Sequence, residues 1–231
     1  MNHFSSVLFD LDGTLSASAE GITRSLALAL EAFGIRETSQ AVLESFIGPP
    51  LNVRLQEVYH VSDDEAIAII SAFRARYETV GYKECHLYPK VQSMLETLSD
   101  EGLTLAVASS KPEPSVLKIL ALFSLTPLFA VICGSAAEDE AKGTATANQK
   151  SLIIKRTLSL LKASQKKSPR PALMVGDRFY DIDGAMHNHI ASAGVTWGYG
   201  TRDEFSKATF IADTPDELLS FITGKKESPA L

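Results

Sequence analysis

The chain has 231 residues, and only two of them are cysteine. Cys85 and Cys133 lack CxxC spacing, so they suggest no disulfide framework and predict two packed thiols in a reducing compartment. The sequence contains no run of 18 or more apolar residues, and the N-terminus lacks a basic segment followed by an apolar one. We therefore expect no membrane span and no signal peptide, and we predict a cytoplasmic protein.

An excess of basic residues is also missing, because the formal net charge is −6. Proteins that bind nucleic acids usually have a positive surface that neutralises phosphates, so we expect neither nucleic acid nor membrane among the partners. Hydrophobic residues make up 45% of the chain and charged residues 22%, as in soluble globular proteins. A small anion remains a possible ligand, since it needs only local positive charge.

Short apolar runs alternate with amphipathic stretches along most of the chain, a pattern typical of a parallel sheet covered by helices. The predicted strands cover 6–10, 103–109, 129–133, 171–177, 191–197 and 209–212. Between the first two strands lie about seventy residues with helical periodicity only, including a stripe of Ile22, Leu26, Leu30 and Phe33. We predict an α/β fold: a Rossmann-like parallel core with helices on both faces (1–15 and 87–231) and an inserted all-helical cap (16–86).

Polar and charged residues stand where these strands end, which is the edge at which open α/β sheets bind ligands. Strand ends and the start of the helix before the fourth strand supply hydroxyl, ammonium and carboxylate groups: Asp10, Asp12, Ser109, Ser110, Lys111, Lys150, Asp177 and Asp181. Mg²⁺ prefers oxygen ligands, and a divalent cation removes the penalty of crowding carboxylates. An EF-hand loop starting at Asp10 is excluded, because Leu15 and Gly21 occupy the positions that need glycine and glutamate.

This set of groups suits phosphoryl transfer. A carboxylate can attack phosphorus and form an aspartyl-phosphate, which divides the reaction into two easier steps. A second carboxyl two residues along can protonate the leaving oxygen and then activate water. Lysine and serine can hold the phosphate oxygens while charge develops.

The segments "DLDGTL", "VASS" and "GDRFYDIDGA", together with Lys150, resemble the four motifs of the haloacid dehalogenase-like hydrolase superfamily, in particular its phosphatases with a helical cap. The segments "FIGPPL", "VASSKP" and "GVTWGYGTRDE" are similar to the phosphoglycolate phosphatase-like subgroup, which includes 5'-nucleotidase-like members. The resemblance covers nearly the whole chain. Dehalogenases of this superfamily lack the second aspartate of the first motif, so Asp12 favours phosphatase chemistry.

The resemblance implies roles for individual residues. Asp10 would be the nucleophile and Asp12 the general acid/base, with Ser109 and Lys150 as the other catalytic residues. Mg²⁺ would be held by Asp10, Asp12 (through its carbonyl), Asp177 and Asp181. We expect substrate contacts from Gly13, Thr14, Ser110 and Arg54, the last in the cap segment "IGPPLNVR", which alternatively only opens a helix. Lys142 is a rival to Lys150 as the phosphate-binding lysine.

Two positions depart from the family pattern. Ala17 replaces a common acidic residue, which would affect the cap or the substrate fit, and Lys90 replaces a common glycine, a change we expect to be neutral.

The predicted function is a Mg²⁺-dependent phosphomonoester hydrolase, monomeric or homodimeric, acting on a small phosphorylated metabolite that is phosphoglycolate-like or nucleotide-like. The alternatives are a sugar phosphomutase similar to β-phosphoglucomutase, a pyrophosphatase, and a catalytically silent phosphate-binding protein.

Overall fold

The computed structural model describes residues 4–136, 149–164 and 171–225. A six-stranded sheet forms its centre, with the strand order β5-β4-β1-β6-β7-β8 and every neighbouring pair parallel. A separate pair of two-residue strands, β2 and β3, is antiparallel. The strands are β1 (Ser6–Phe9), β2 (Ser16–Ala17), β3 (His86–Leu87), β4 (Thr104–Pro112), β5 (Phe129–Ser135), β6 (Ala172–Gly176), β7 (Ala191–Val195) and β8 (Phe210–Ala212).

Helices cover both faces of the large sheet, which explains why its central strands are continuous apolar runs. Successive side chains of β1 point to opposite faces: Val7 and Phe9 belong to one buried cluster and Leu8 to another. The α-helices are α1 (Ala19–Ala32), α2 (Gln40–Glu44), α3 (Leu51–Tyr59), α4 (Asp63–Tyr77), α5 (Val91–Asp100), α6 (Glu113–Leu122), α7 (Gln149–Ser164), α8 (Phe179–His187) and α9 (Pro215–Thr223). Side chains of α5, α6 and α9 pack with Val7 and Phe9, and those of α7 and α8 pack with Leu8. The predicted fold class is confirmed.

The four helices α1–α4 form a third hydrophobic cluster above the sheet edge. The predicted stripe on α1 is buried at Ile22, Leu26 and Leu30, but Phe33 is 44% exposed because the helix has already ended there. Ser62 and Glu65 form a capping box at the start of α4. The chain enters and leaves this helical cap through β2 and β3, which are too short for a sequence pattern to indicate. The exact boundary at residues 16 and 86 stays a prediction.

The expectation that lysine is a neutral replacement for glycine at position 90 is wrong. The φ of Lys90 is 66°, in the left-handed region where a side chain is strained and glycine is not. The lysine at this position is therefore not neutral for the backbone.

Cys133 is buried and Cys85 is half-buried, so both thiols are packed as predicted. None of the helices in the described ranges is both long enough and apolar enough to cross a bilayer.

Candidate active site

Three carboxylates meet where β1 and β6 end side by side. Asp10 directly follows β1, Asp177 directly follows β6, and Asp181 lies in the first turn of α8. Each offers an oxygen within 4.8 Å of the others, and all three side chains are buried. The parallel pairing of β1 with β6 thus joins residues that are far apart in the sequence into one acidic cluster.

Lys150 lies next to this cluster from the first turn of α7. Its Nζ is 2.8 Å from Asp10 Oδ1 and 2.9 Å from Asp181 Oδ1, and it donates a hydrogen bond of 2.8 Å to the Ala108 carbonyl. Burial by itself lowers the pKa of the Lys150 ammonium, but the two carboxylates outweigh burial and raise it above its usual value. Lys150 therefore lies beside the acidic cluster, and its role as the phosphate-binding lysine stays a prediction; its rival Lys142 lies outside the described residues.

The charges of the cluster favour a cation. Three carboxylates face one ammonium, and burial together with the charges of Asp10 and Asp181 raises the pKa of Asp177 well above its usual value. Buried carboxylate oxygens are the ligands that Mg²⁺ prefers, and a divalent ion would offset the repulsion. Asp10, Asp177 and Asp181 therefore fit a magnesium ion by the chemistry and spacing of their oxygens.

The backbone around Asp177 leaves no room for additional side chains. Gly13 has a φ of 85°, and a Cβ on it would lie 2.0 Å from Asp177 Oδ2; a Cβ on Gly198 would lie 2.3 Å from Asp177 Cβ. Thr14 Oγ1 donates a hydrogen bond to Asp177 Oδ1 (3.2 Å), and the Tyr199 N–H donates to Oδ2 (2.8 Å). Gly13 and Thr14, predicted to contact substrate, thus contact the acidic cluster in this structure.

Asp12 has a separate partner. The Nζ of Lys111, at the end of β4, lies 2.7 Å from Asp12 Oδ2, and both side chains are nearly buried. The same Nζ is 4.6 Å from the ring centre of Tyr77 in the cap helix α4. Burial lowers the pKa of Lys111, yet Asp12 and Tyr77 raise it above its usual value. Lys111 was predicted only as one of the polar groups at the strand ends, and its pairing with Asp12 was not predicted.

A pocket opens above Asp10 and Asp12, between the sheet edge and the cap. Ser109 and Ser110 line it, and the Ser109 hydroxyl accepts a 3.3 Å hydrogen bond from the Lys111 N–H. The cap contributes mainly apolar groups, from Ile22, Phe46, Ile47, Gly48, Pro49, Pro50, Leu51, Phe73 and Tyr77, together with Arg74 and Glu78.

Arg54, like Gly13 and Thr14, is a predicted substrate contact that does not line this pocket. Its guanidinium lies 3.1 Å from Glu57 and 2.9 Å from the Ser45 hydroxyl. Arg54 stays on the cap because its position on α3 directs it to neighbours in the cap itself.

The segment that follows β7 connects the acidic cluster to the entry of the cap. The Tyr199 hydroxyl accepts hydrogen bonds from the N–H groups of Ser18 (2.7 Å) and Ala19 (2.8 Å), at the start of α1. Trp197 Nε1 donates to the Thr14 carbonyl at 3.0 Å. Sequence reasoning assigned no role to either aromatic residue, because irregular segments have no periodicity from which contacts can be predicted.

The family model for haloacid dehalogenase-like hydrolase matches residues 7–195. The chain belongs to this family. The match confirms the resemblance seen in the motifs, and it covers both the acidic cluster and the inserted cap.

Several named proteins are similar in sequence to this chain. It is 37% identical over 201 residues to a 5'-nucleotidase of Pseudomonas aeruginosa, covering 87% of this chain and 86% of that protein. It is 36% identical over 217 residues to tyrosine-protein kinase PtkA of Mycobacterium tuberculosis, covering 92% and 70%. A phosphoglycolate phosphatase of Aliivibrio fischeri is 31% identical over 208 residues, covering 87% of each.

A solved structure of a predicted phosphatase from Clostridium acetobutylicum superposes with a TM-score of 0.84 at 36% identity, covering 94% of this chain and 97% of that one. The family and these phosphatase relatives confirm the prediction of an enzyme with phosphatase chemistry.

Proposed function

We propose that this chain is a Mg²⁺-dependent phosphomonoester hydrolase that acts through an aspartyl-phosphate on Asp10. The supporting observation is that Asp10 belongs to both parts of the site: among the described residues, it is the only carboxylate shared by the acidic cluster and the pocket lining. A phosphate ester in the pocket would therefore meet a carboxylate that is already placed beside a cation site. Bound Mg²⁺, held by Asp10, Asp177 and Asp181, would neutralise charge on the phosphoryl oxygens.

The residues divide the reaction into two steps. An Asp10 carboxylate oxygen attacks phosphorus, the ester bond breaks, and Asp12 in its acid form gives a proton to the leaving oxygen. A water then attacks the aspartyl-phosphate, gives its proton to the Asp12 carboxylate and releases inorganic phosphate, which regenerates Asp10. Lys111 lies beside Asp12 and Lys150 beside Asp10, so each ammonium orients one of the reacting carboxyl groups.

The cap side of the pocket favours a substrate with a flat organic group. Phe46, Phe73 and Tyr77 present aromatic surface there. Such rings bind a nucleobase or another planar group better than they bind phosphoglycolate, which is short and carries both a carboxylate and a phosphate. We therefore infer that a nucleotide-like monoester is preferred, an inference that the relative named 5'-nucleotidase supports.

The test compares wild-type protein with Asp10→Asn, using p-nitrophenyl phosphate and a panel of nucleoside monophosphates and phosphoglycolate, with Mg²⁺ or with a chelator. We expect Asp10→Asn to fold normally and to lose turnover by at least about a thousandfold, since it lacks the nucleophile. Asp183→Asn is the matched control, because Asp183 lies on α8 with its side chain 38% exposed and pairs with Lys207. Turnover in Asp10→Asn close to that of the wild type would overturn the proposal.

Two further measurements separate the steps and the alternatives. Asp12→Ala should accumulate a labile phosphoenzyme, detectable by mass spectrometry, if Asp12 is needed for its hydrolysis. Transfer of phosphate to a sugar phosphate instead of water would indicate a phosphomutase, and preferential cleavage of inorganic pyrophosphate would indicate a pyrophosphatase.

A further inference from the structure

Arg178 joins the acidic cluster to the cap, although neither the motif pattern nor the proposed reaction uses it. It directly follows Asp177 and is the N-cap residue of α8, where its backbone N–H donates a 3.1 Å hydrogen bond to Asp181 Oδ2. Its side chain extends the other way: Nη1 donates a 2.7 Å hydrogen bond to the carbonyl of Ile47. One residue thus contacts a carboxylate of the cluster with its backbone and the cap with its guanidinium.

The part of the cap that Arg178 contacts is the loop of residues 46–50 between α2 and α3. All five residues of this loop line the pocket, whereas Arg178 itself does not. Gly48 has a φ of 106°, and a Cβ on it would lie 3.1 Å from Arg178 Cγ, so the loop backbone lies directly against the arginine stem. Any influence of Arg178 on a substrate would therefore act through the position of this loop.

Glu204 holds the guanidinium in the orientation that this contact needs. Its Oε2 accepts hydrogen bonds from Arg178 Nε (3.2 Å) and from the Phe179 N–H (3.0 Å). Its Oε1 accepts a hydrogen bond from the Thr201 N–H (3.1 Å), which fixes the carboxylate on the core. The Arg178 side chain is 15% exposed, so this pair is partly shielded from solvent. The planar guanidinium can bond Glu204 and the Ile47 carbonyl together, which a lysine ammonium cannot match in geometry.

We propose that Arg178 is a positioning residue that holds the 46–50 loop over the pocket and thereby sets the affinity for substrate. The loop belongs to the cap and the arginine to the core, so the hydrogen bond exists only while the loop lies on the core. Losing it shifts the loop away from the pocket without changing Asp10 or Asp12. The effect on catalysis rests on the proposed phosphatase function, but the effect on the loop does not.

The first measurement is hydrogen exchange of the peptide that contains the loop, by mass spectrometry on the full chain. In Arg178→Met we expect faster exchange in this peptide than in the wild type, because a charge-assisted hydrogen bond to the loop is lost. Arg202→Met is the matched control, since Arg202 lies outside the cap, is exposed to solvent and pairs with Asp213. It should leave exchange in the loop unchanged. Equal exchange in wild type and Arg178→Met would overturn the proposal whether or not the protein is active.

The second measurement is steady-state hydrolysis of p-nitrophenyl phosphate with Mg²⁺. We expect KM of Arg178→Met to rise roughly tenfold to a hundredfold, while kcat stays within about threefold because the reacting groups are intact. Arg178→Lys should restore KM only in part, since it retains the charge but not the planar pair of donors. An unchanged KM, or full rescue by lysine, would contradict the proposed role.

If Arg178→Met fails to fold, a second variant, Glu204→Gln, tests the same role. Glu204→Gln keeps Arg178 but removes the charge that orients it and one of the two acceptor oxygens, so its effects on loop exchange and KM should have the same direction and be smaller. If Glu204→Gln changes neither loop exchange nor KM, the proposed role of Arg178 is wrong. If the wild type itself hydrolyses none of the esters, the proposed function fails, and loop exchange alone decides the role of Arg178.

Discussion

At the scale of the residue, the two carboxylates of the first motif differ in their partners although they are two positions apart. Asp10 lies beside Lys150, and Asp12 lies beside Lys111. The two carboxylates of this motif therefore contact different ammonium groups, which come from different elements. The carboxylates were predicted from the sequence, because charged residues directly after a buried strand are conspicuous. The pairing with Lys111 was not, because lysine at a strand end is equally compatible with solvent.

Backbone strain at Lys90 leads to a prediction at the same scale. Lys90→Gly should stabilise the protein by up to about 1 kcal/mol, since relief of the left-handed conformation outweighs the extra freedom of glycine in the unfolded chain. The exposed ion pair with Asp216 that is lost contributes little. Urea unfolding measures the difference. Glu96→Gly, in the regular part of α5, should destabilise by about 1 kcal/mol, and a loss of similar size in Lys90→Gly would refute the argument.

At the scale of the element, a group of ion pairs inside the cap joins α1 and α4 to the segment before β3. Glu84, just before β3, accepts hydrogen bonds from Arg76 at the end of α4 and from Arg24 on α1, each at 2.8 Å. These bonds, with that from Arg76 the stronger, lower the pKa of Glu84 to about 2. The helices were predicted from their periodicity, but this junction was not, because it depends on how α1 and α4 pack.

The lowered pKa of Glu84 implies a pH-dependent contribution to stability. Glu84→Gln should destabilise the protein at pH 7 by about 1 kcal/mol, allowing for solvent screening. A carboxyl with a lowered pKa contributes fully above its unfolded value of 4.5 and loses the contribution as pH falls toward about 2. Urea titrations should therefore show the difference between wild type and variant shrinking between these pH values. Glu57→Gln, a change on the exposed side of α3, serves as the control; a difference that is independent of pH would contradict the assignment.

At the scale of the whole molecule, the site joins elements that are distant in the chain. Its acidic cluster comes from the ends of β1 and β6 and from α8, and its ammonium comes from α7. This arrangement concentrates negative charge in a buried place, which lowers the stability of the metal-free protein. The parallel sheet that produces it was predicted from the sequence and is confirmed by the strand pairing, whereas the order of its strands comes from the structure.

Removing one charge from the cluster should therefore stabilise the metal-free protein and, at the same time, abolish its stabilisation by metal. Metal-free Asp177→Asn should unfold at a higher temperature than metal-free wild type, because the repulsion from Asp10 and Asp181 is relieved. Saturating MgCl₂, at about a hundred times Kd, should raise the wild-type melting temperature by roughly 5 to 10 °C. The same salt should leave Asp177→Asn almost unchanged. Differential scanning calorimetry measures both effects, and an equal magnesium shift in the two proteins would show that Asp177 is not a ligand.

The sequence by itself determined the parallel α/β core, the inserted helices and the residues Asp10, Asp12, Ser109 and Asp177 at the strand ends. Those features follow from apolar periodicity and from charge placed directly after it, which are local properties of the chain. Only the tertiary structure decided that Lys111 pairs with Asp12, that Arg54 stays away from the pocket, and that Arg178 contacts the cap loop. The contacts of a long side chain depend on which groups tertiary packing brings near it, and no local sequence pattern predicts them.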